Sequence, residues 1–306
     1  MNKEIIKVNN LSKVYSNGFK ALDEISFPVH KGKVTSILGL NGAGKTTFID
    51  ICGGLMQKTS GQILFDGLEL SADTAAYIKS QISFVPQEIS LQYMLTVEQT
   101  LVQQPSLYGQ KLDVERMDFL LKVLDLDSKR RNTVRSLSVG MQRRLMIARA
   151  LLVKPKLVFL DEPTSGVDID MRDKIWELIQ HYNQEGTTFI ITTHYMEEVE
   201  RYCDEVVLLH KGHVYGHGPL DEVVTKYTGQ GYYVIDPEEA SKQQLEALVS
   251  AHEHFDIQDQ KLVNRNLNSS LSDIASQLHQ HGIKIKGLNK KSFTAEDLMK
   301  VIAKIK

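Results

Sequence analysis

Cysteine is nearly absent. The 306-residue chain has two, Cys52 and Cys203, too few for a disulfide framework and outside any zinc-ligand spacing. That excludes the small, disulfide-stapled secreted class and fits a reducing cytoplasm. No run approaches the ~18 apolar residues that a membrane-spanning helix needs, so the chain is not expected to cross a bilayer by itself. The first ten residues, Met1 to Asn10, lack the apolar stretch of a signal peptide. An excess of positive charge is missing too. Thirty-six Lys and Arg against 38 Asp and Glu leave a net −2, which argues against a general electrostatic grip on nucleic acid. Internal repeats and low-complexity tracts are lacking. What remains is a globular composition, 42% hydrophobic and 24% charged. It is long enough for a sizeable core, arranged as one large domain or two modest ones.

Short apolar runs alternate with turns in the first third. Ile5 to Val8, Ala21 to Val29, Val34 to Leu38 and Ile63 to Phe65 read as strands, the last followed by the turn pair Asp66-Gly67. A helical pattern begins at Lys45, with Phe48, Ile49, Ile51 and Cys52 close to one face. From about residue 88 glycine thins out, and Leu112 to Leu126 is leucine-rich at helical spacing. This is the pattern of an inserted helical subdomain, about 88–145. Met141 to Val153 reads as a helix stopped by Pro155, with a solvated start over Met141 to Arg144. Leu157–Leu160 and Phe189–Thr192 read as buried parallel strands flanking a helix around Met171 to Tyr182, a βαβ unit.

Gly212, Gly216, Gly218 and Pro219 mark the end of a main domain, 1–220, and 221–230 reads as a linker. Residues 231–306 then form a small α/β domain. Its expected parts are a strand at Tyr232 to Ile235 and a helix started by Asp236-Pro-Glu-Glu239. A helix lined by Leu271, Ile274 and Leu278 and closed by Gly282 follows. Next come a half-exposed strand with Ile283 and Ile285, and a last helix capped by Thr294.

The chemistry concentrates in Gly39-Leu40-Asn41-Gly42-Ala43-Gly44-Lys45-Thr46, which matches the phosphate-binding pattern G-x-x-x-x-G-K-[ST]. Glycines let backbone N–H groups close on phosphate oxygens, and the following helix points its positive end at the same place. Lys45 supplies a point charge, the Thr46 hydroxyl a ligand for Mg²⁺, and Thr47 continues the cradle. A strand-borne carboxylate is needed to complete the metal site. The apolar run ending at Leu160 aims Asp161 out of its carboxyl end, where α/β sheets bind ligands. Glu162, the next residue, is placed to activate a water for phosphoryl transfer.

With these residues the sequence resembles the nucleotide-binding subunits of ATP-binding-cassette (ABC) transporters, over about residues 4–220. Tyr15 resembles the aromatic that stacks on adenine. Gln87, in Phe84-Val-Pro-Gln87, resembles the loop glutamine that senses Mg²⁺ and contacts the membrane subunit. Leu137-Ser138-Val139-Gly140-Met141 resembles the signature motif, and Ser165-Gly-Val-Asp168 the loop that links two nucleotide sites. His194 resembles the switch histidine near the γ-phosphate. The signature departs from the usual Leu-Ser-Gly-Gly-Gln at Val139 and Met141, and Val139 is expected to stiffen the backbone. Thr193 to Glu200, together with the C-terminal run His281 to Leu288 and Phe293 to Leu298, resembles the ABC-2 exporter type.

The resemblance implies an α/β P-loop ATPase domain with an antiparallel β and a helical subdomain, plus the C-terminal α/β tail. Two copies would bind two ATP with Mg²⁺, each between the P-loop of one and Ser138 and Gly140 of the other. A separate integral-membrane permease would carry cargo, with this chain peripheral at the cytoplasmic membrane face. Leu91, Tyr93, Met94 and Leu95 are the expected docking surface. A soluble ABC ATPase acting on DNA or ribosomes would usually carry two cassettes or a long coiled coil. A P-loop kinase would not need Leu137 to Gly140, and a non-hydrolysing sensor would not need Glu162 and His194.

Overall fold

The computed structural model describes residues 3–229, 231–238, 240–258, 261–264 and 270–305. In chain order the elements of the first part are β1 (Glu4–Val14), β2 (Lys20–His30), β3 (Val34–Leu38), α1 (Lys45–Cys52), β4 (Ser60–Phe65), β5 (Leu68–Glu69), α2 (Ala75–Gln81) and β6 (Ile82–Val85). Then come α3 (Val97–Leu107), α4 (Val114–Val123), α5 (Val139–Leu152), β7 (Leu157–Asp161), α6 (Ile169–Gln184), β8 (Thr188–Thr192), α7 (Met196–Tyr202), β9 (Glu205–His210) and β10 (His213–Pro219). The second part holds α8 (Leu220–Thr228), β11 (Tyr232–Glu238), α9 (Lys242–Ala251), β12 (Phe255–Gln258), β13 (Lys261–Asn264), α10 (Leu271–Gln280), β14 (Lys284–Lys291) and α11 (Ala295–Ile302). The chain divides into two compact units between Leu220 and Asp221.

In the first unit, β3, β7 and β8 are buried at every residue, as expected of parallel strands covered on both faces. They sit inside a six-stranded sheet of order β10-β9-β3-β8-β7-β6, parallel except for β10. Successive side chains on each strand enter different cores, as the two-residue period of a strand requires. Val158, Leu160, Phe189 and Ile191 join Leu101 of α3, Leu120 of α4, Leu145 of α5 and Trp176 of α6. Leu157, Phe159, Ile190 and Ile37 join Phe48 of α1 and the inner residues of the antiparallel sheet β2-β1-β4-β5. In β2 the alternation Ile25, Phe27, Val29 is buried while Glu24 and Ser26 are exposed.

Three expectations fail here for identifiable reasons. Gln142, Arg143 and Arg144 are 8%, 5% and 6% exposed, so these three residues of α5 are not solvated. Arg144 donates to Leu124 O at 2.7 Å and Arg143 to two loop carbonyls, and buried guanidiniums are tolerable only with such acceptors. The 221–230 stretch is helical over Leu220–Thr228 rather than a plain linker; Gln230 lies outside the described residues. Third, Asp236-Pro237 continues β11, and the helix starts later, at Ser241, with a Ser241–Gln244 capping box. Pro237 is admitted because, among the described residues, β13 pairs only with Tyr233 to Ile235, and a register shift beside β14 falls between Asp236 and Pro237. Glu239 is not among the described residues.

The second unit is otherwise the expected α/β arrangement, a sheet of order β12-β13-β11-β14. Ile235, Leu248, Leu262, Ile274 and Leu278 form its core. Gly282 closes α10 at φ +68°, and Thr294 caps α11 with Asp297.

Candidate functional site

Four neighbouring parallel strands end at one edge of the six-stranded sheet, and each delivers part of the site. β3 runs into the glycine loop, β8 ends at Thr192 before His194, β7 ends at Asp161 before Glu162, and β6 leads to Gln87. The carboxyl edge of such a sheet is where α/β folds place ligands. A cleft of about 440 Å³ lies there, lined by Tyr15, Asn41, Gly42, Ala43, Gly44, Lys45, Thr46, Thr47, Gln87, Asp161, Glu162 and His194, with Phe19 and Ala21. Small-molecule sites commonly have this size.

The glycine loop has little room for anything else. A Cβ on Gly39 would lie 2.3 Å from Leu209 O, and one on Gly44 would lie 2.5 Å from Ala21 O. Gly44 also has φ +107°, a backbone that favours glycine. It stands at the N-cap of α1 and offers no side-chain acceptor, and the first turn holds no acidic residue. The N–H groups at this end are therefore free of side-chain caps, the arrangement that receives anions. Lys45 Nζ donates to Gly39 O at 2.7 Å and Leu40 O at 3.2 Å. Burial lowers its pKa, and the charges of Asp161 and Glu162 oppose that shift. Tyr15 Oη and Thr47 Oγ1 are 3.2 Å apart, and the Tyr15 ring stacks with Phe19 at 6.3 Å.

Across the cleft Asp161 is 4% exposed and accepts a hydrogen bond from Thr192 Oγ1. Glu162 N donates to Thr192 O at 3.1 Å. Glu162 has φ +51°, a left-handed conformation that costs free energy in a non-glycine residue and tends to occur at functional sites. Its carboxylate is held at both oxygens: His194 Nε2 is 2.5 Å from Oε1, and Gln87 Nε2 donates to Oε2 at 3.2 Å. The turn carrying His194 is fixed by Thr193 Oγ1, which donates to Glu198 Oε2 at 2.6 Å and accepts from Tyr195 N at 3.1 Å.

Asp161, Thr46 and Gln87 bring a carboxylate, a hydroxyl and an amide to the same cleft. This is a hard-oxygen donor set suited to Mg²⁺, which takes one or two carboxylates and completes its shell with water and phosphate. Among the described residues no three His, Cys, Asp or Glu side chains are grouped to hold a metal by themselves.

Ser138, Gly140 and Asp168 are not in the cleft lining. Ser138 caps α5 by accepting from Met141 N at 3.2 Å, and Asp168 caps α6 by accepting from Met171 N at 3.0 Å. The two caps are neighbours, since a Cβ on Gly140 would lie 3.4 Å from Gly166 O. Val139 lies inside α5, is 63% exposed and has no left-handed backbone. The substitution for glycine therefore imposes no strain at that position. No motif points to the roles of Thr192 and Arg143, because their partners Asp161 and Pro86 become neighbours only through the fold, whereas the partners of Thr193 are local in sequence.

Comparison with known proteins agrees with this geometry. Residues 22–165 match the family described as "ABC transporter". The chain is 35% identical over 228 residues to the linearmycin resistance ATP-binding protein LnrL of Bacillus subtilis, covering 74% of this chain and 72% of that protein. It is 33% identical over 276 residues to ABC transporter G family member 23 of Dictyostelium discoideum, where it spans 38% of the longer protein's length and 87% of its own. A solved "ATP binding subunit of ABC transporter" superposes with a TM-score of 0.68 at 29% identity, over 80% of this chain and 99% of that one. A "dimeric structure of a post-hydrolysis state" of an ATP-binding cassette bound to ADP and phosphate superposes with a TM-score of 0.64 at 29% identity, over 70% of this chain and 98% of that one. The P-loop ATPase fold, the cleft and these relatives lead to one assignment: the chain belongs to the ABC transporter family as one of its ATP-binding subunits, an ATPase of the transport machinery.

Proposed function

We propose that this subunit works as a homodimer that closes around two ATP and drives export through a separate integral-membrane permease. The observation that carries the reading is the grip of Gln87 and His194 on Glu162, in the same cleft as the glycine loop. Each ATP is bound between the glycine loop of one copy and Ser138 and Gly140 of the other. The dimeric cassette with ADP and phosphate is a precedent for such pairing. The word "resistance" in the name of the Bacillus relative favours export over import.

The steps follow from the side chains. Lys45 exchanges the carbonyls of Gly39 and Leu40 for β- and γ-phosphate oxygens, and the Tyr15 ring takes the adenine. Thr46, Asp161 and Gln87 would hold Mg²⁺, which when bound would neutralise charge developing on the phosphate oxygens. Glu162 accepts the proton of the attacking water, and His194 steadies Glu162 and the γ-phosphate. Asp168 links the two sites across the dimer. Loss of the γ-phosphate removes the bridge between the copies and reopens them.

Among the described residues no helix is long and apolar enough to cross a membrane. The permease is proposed as a second chain on the precedent of the Bacillus relative, which is named as an ATP-binding protein and is covered to 72% of its length. The subunit would then be peripheral at the cytoplasmic face, with no role in binding nucleic acid. Tyr93 and Met94, 48% and 82% exposed, offer an apolar docking surface in the segment that follows Gln87 in sequence; Leu95 is half-buried, and Leu91 is buried at 7% and drops out of it.

The test is the solution mass and turnover of Glu162→Gln, with and without ATP. The expected result is a monomer that dimerises only with ATP and hydrolyses almost none. Full turnover by Glu162→Gln would remove Glu162 from its role. A persistent monomer with ATP bound would favour a sensor instead.

A further inference from the structure

Arg143 is a costly residue in its setting. Its guanidinium is buried, its Nε has no hydrogen-bond partner, and burial lowers its pKa against the opposing charges of Asp161 and Glu162. A buried charge with an unpaired donor destabilises a fold unless something answers it. What answers it is backbone. Nη1 donates to Pro86 O at 2.5 Å, and Nη2 donates to Gln87 O. Further along α5, Arg149 donates through Nη1 to Ser90 O at 3.1 Å and through Nη2 to Ser90 Oγ at 3.3 Å. One helix thus grips both ends of the segment from Pro86 to Ser90. An apolar residue of similar volume would fill the space but would leave the Pro86 and Gln87 carbonyls without these donors.

We propose that Arg143 is a positioning residue for hydrolysis: by holding the Pro86 and Gln87 carbonyls it sets the reach of the Gln87 side chain, and through Gln87 it aims the Glu162 carboxylate. Gln87 Nε2 lies 3.2 Å from Glu162 Oε2, so a shift of the loop by a fraction of that distance breaks the bond. Because α5 begins beside Ser138 and Gly140, the same two arginines carry a displacement of that helix end to Gln87. Arg143 touches neither nucleotide nor water in this account. The proposal rests on Glu162 as the base.

The experiment is a double-mutant cycle on steady-state ATP hydrolysis by the full chain, with Arg143→Met, Gln87→Ala and the pair, normalised to nucleotide-binding stoichiometry. Arg143→Met is expected to lower kcat roughly ten- to a hundredfold, the upper end being the scale of a group misplaced by about 1 Å, with KM for ATP changed by less than about twofold. The pair should be no slower than the slower single variant, because both remove one linkage. Arg143→Lys, which keeps the charge and one donor, should recover part of the rate. Unchanged kcat, multiplicative losses, or a loss explained entirely by fewer binding-competent molecules would overturn the proposal. Should Arg143→Met not fold, the cycle of Arg143→Lys with Gln87→Ala decides by the same criterion. Glu162→Gln run alongside separates the two ideas. If it keeps turnover, the base assignment fails; if it is inactive while the losses at Arg143 and Gln87 multiply, only the role of Arg143 fails.

Discussion

Lys45 shows how a single ammonium is tuned for its ligand. Its partners in the structure are two carbonyl oxygens, and burial holds its pKa below the ordinary lysine value of 10.5. The sign of the consequence follows by linkage. Between the folded and unfolded pKa values the unfolded chain binds more protons, so the nucleotide-free protein gains stability as pH rises through that window. Nucleotide behaves oppositely. Its phosphates favour the charged lysine, so binding weakens as pH rises through the lowered folded pKa. Affinity for a fluorescent ATP analogue, titrated from neutral pH into the alkaline range, should show this fall in the wild type. Lys45→Met should bind weakly at every pH and show a flatter profile. At this scale the sequence was highly legible, because Lys45, Thr46, Asp161 and Glu162 sit in short motifs whose chemistry is local. Thr192 and Arg143 were not, since their hydrogen-bond partners lie 31 and 57 residues away in sequence.

At the scale of elements, legibility depended on whether burial was periodic. The fully apolar β7 and β8 and the capped α11 could be read directly, because their patterns have one physical solution. The start of α5 could not, since Arg143 and Arg144 look like solvent-facing charges until the carbonyls that accept from them are in place. The Asp-Pro signal at 236–237 was real chemistry in the wrong element, admitted where β11 pairs on one side among the described residues. The helical subdomain has a comparable hidden feature. Arg130 bonds Asp127 Oδ1 at 2.7 Å and Asp118 Oδ1 at 2.5 Å, and its Nη1 lies 3.5 Å from Glu98 Oε1. It thereby ties α3 and α4 to the turn that follows them. These carboxylates are substantially exposed, so each pair is screened and worth at most ~1 kcal/mol. Arg130→Ala should therefore lower stability by about 1–2 kcal/mol in urea titration at low salt, and the difference should shrink in molar salt. A salt-independent loss would point to packing of the Arg130 stem instead.

The whole molecule offers an optical separation of its two units. Trp176 is the chain's one tryptophan. It is fully buried in the first unit and stacks on Tyr202 with ring centroids 4.6 Å apart. The second unit has its own core around Ile274 and Leu278 and no tryptophan. Fluorescence therefore follows the ATPase unit alone, whereas far-ultraviolet circular dichroism follows both. A ligand that binds only the folded state adds about 2.7 kcal/mol at a hundred times its dissociation constant. Adding ATP with Mg²⁺ to Glu162→Gln, which should bind without turnover, is expected to move the fluorescence transition to higher denaturant by that amount. Ile274→Ala should do the reverse, leaving fluorescence in place and lowering the remaining dichroism transition by about 2–5 kcal/mol, as deletion of a buried aliphatic side chain does. If both perturbations move both signals together, the two units unfold as one cooperative body, and stabilisation by nucleotide at the cleft extends to the C-terminal unit as well.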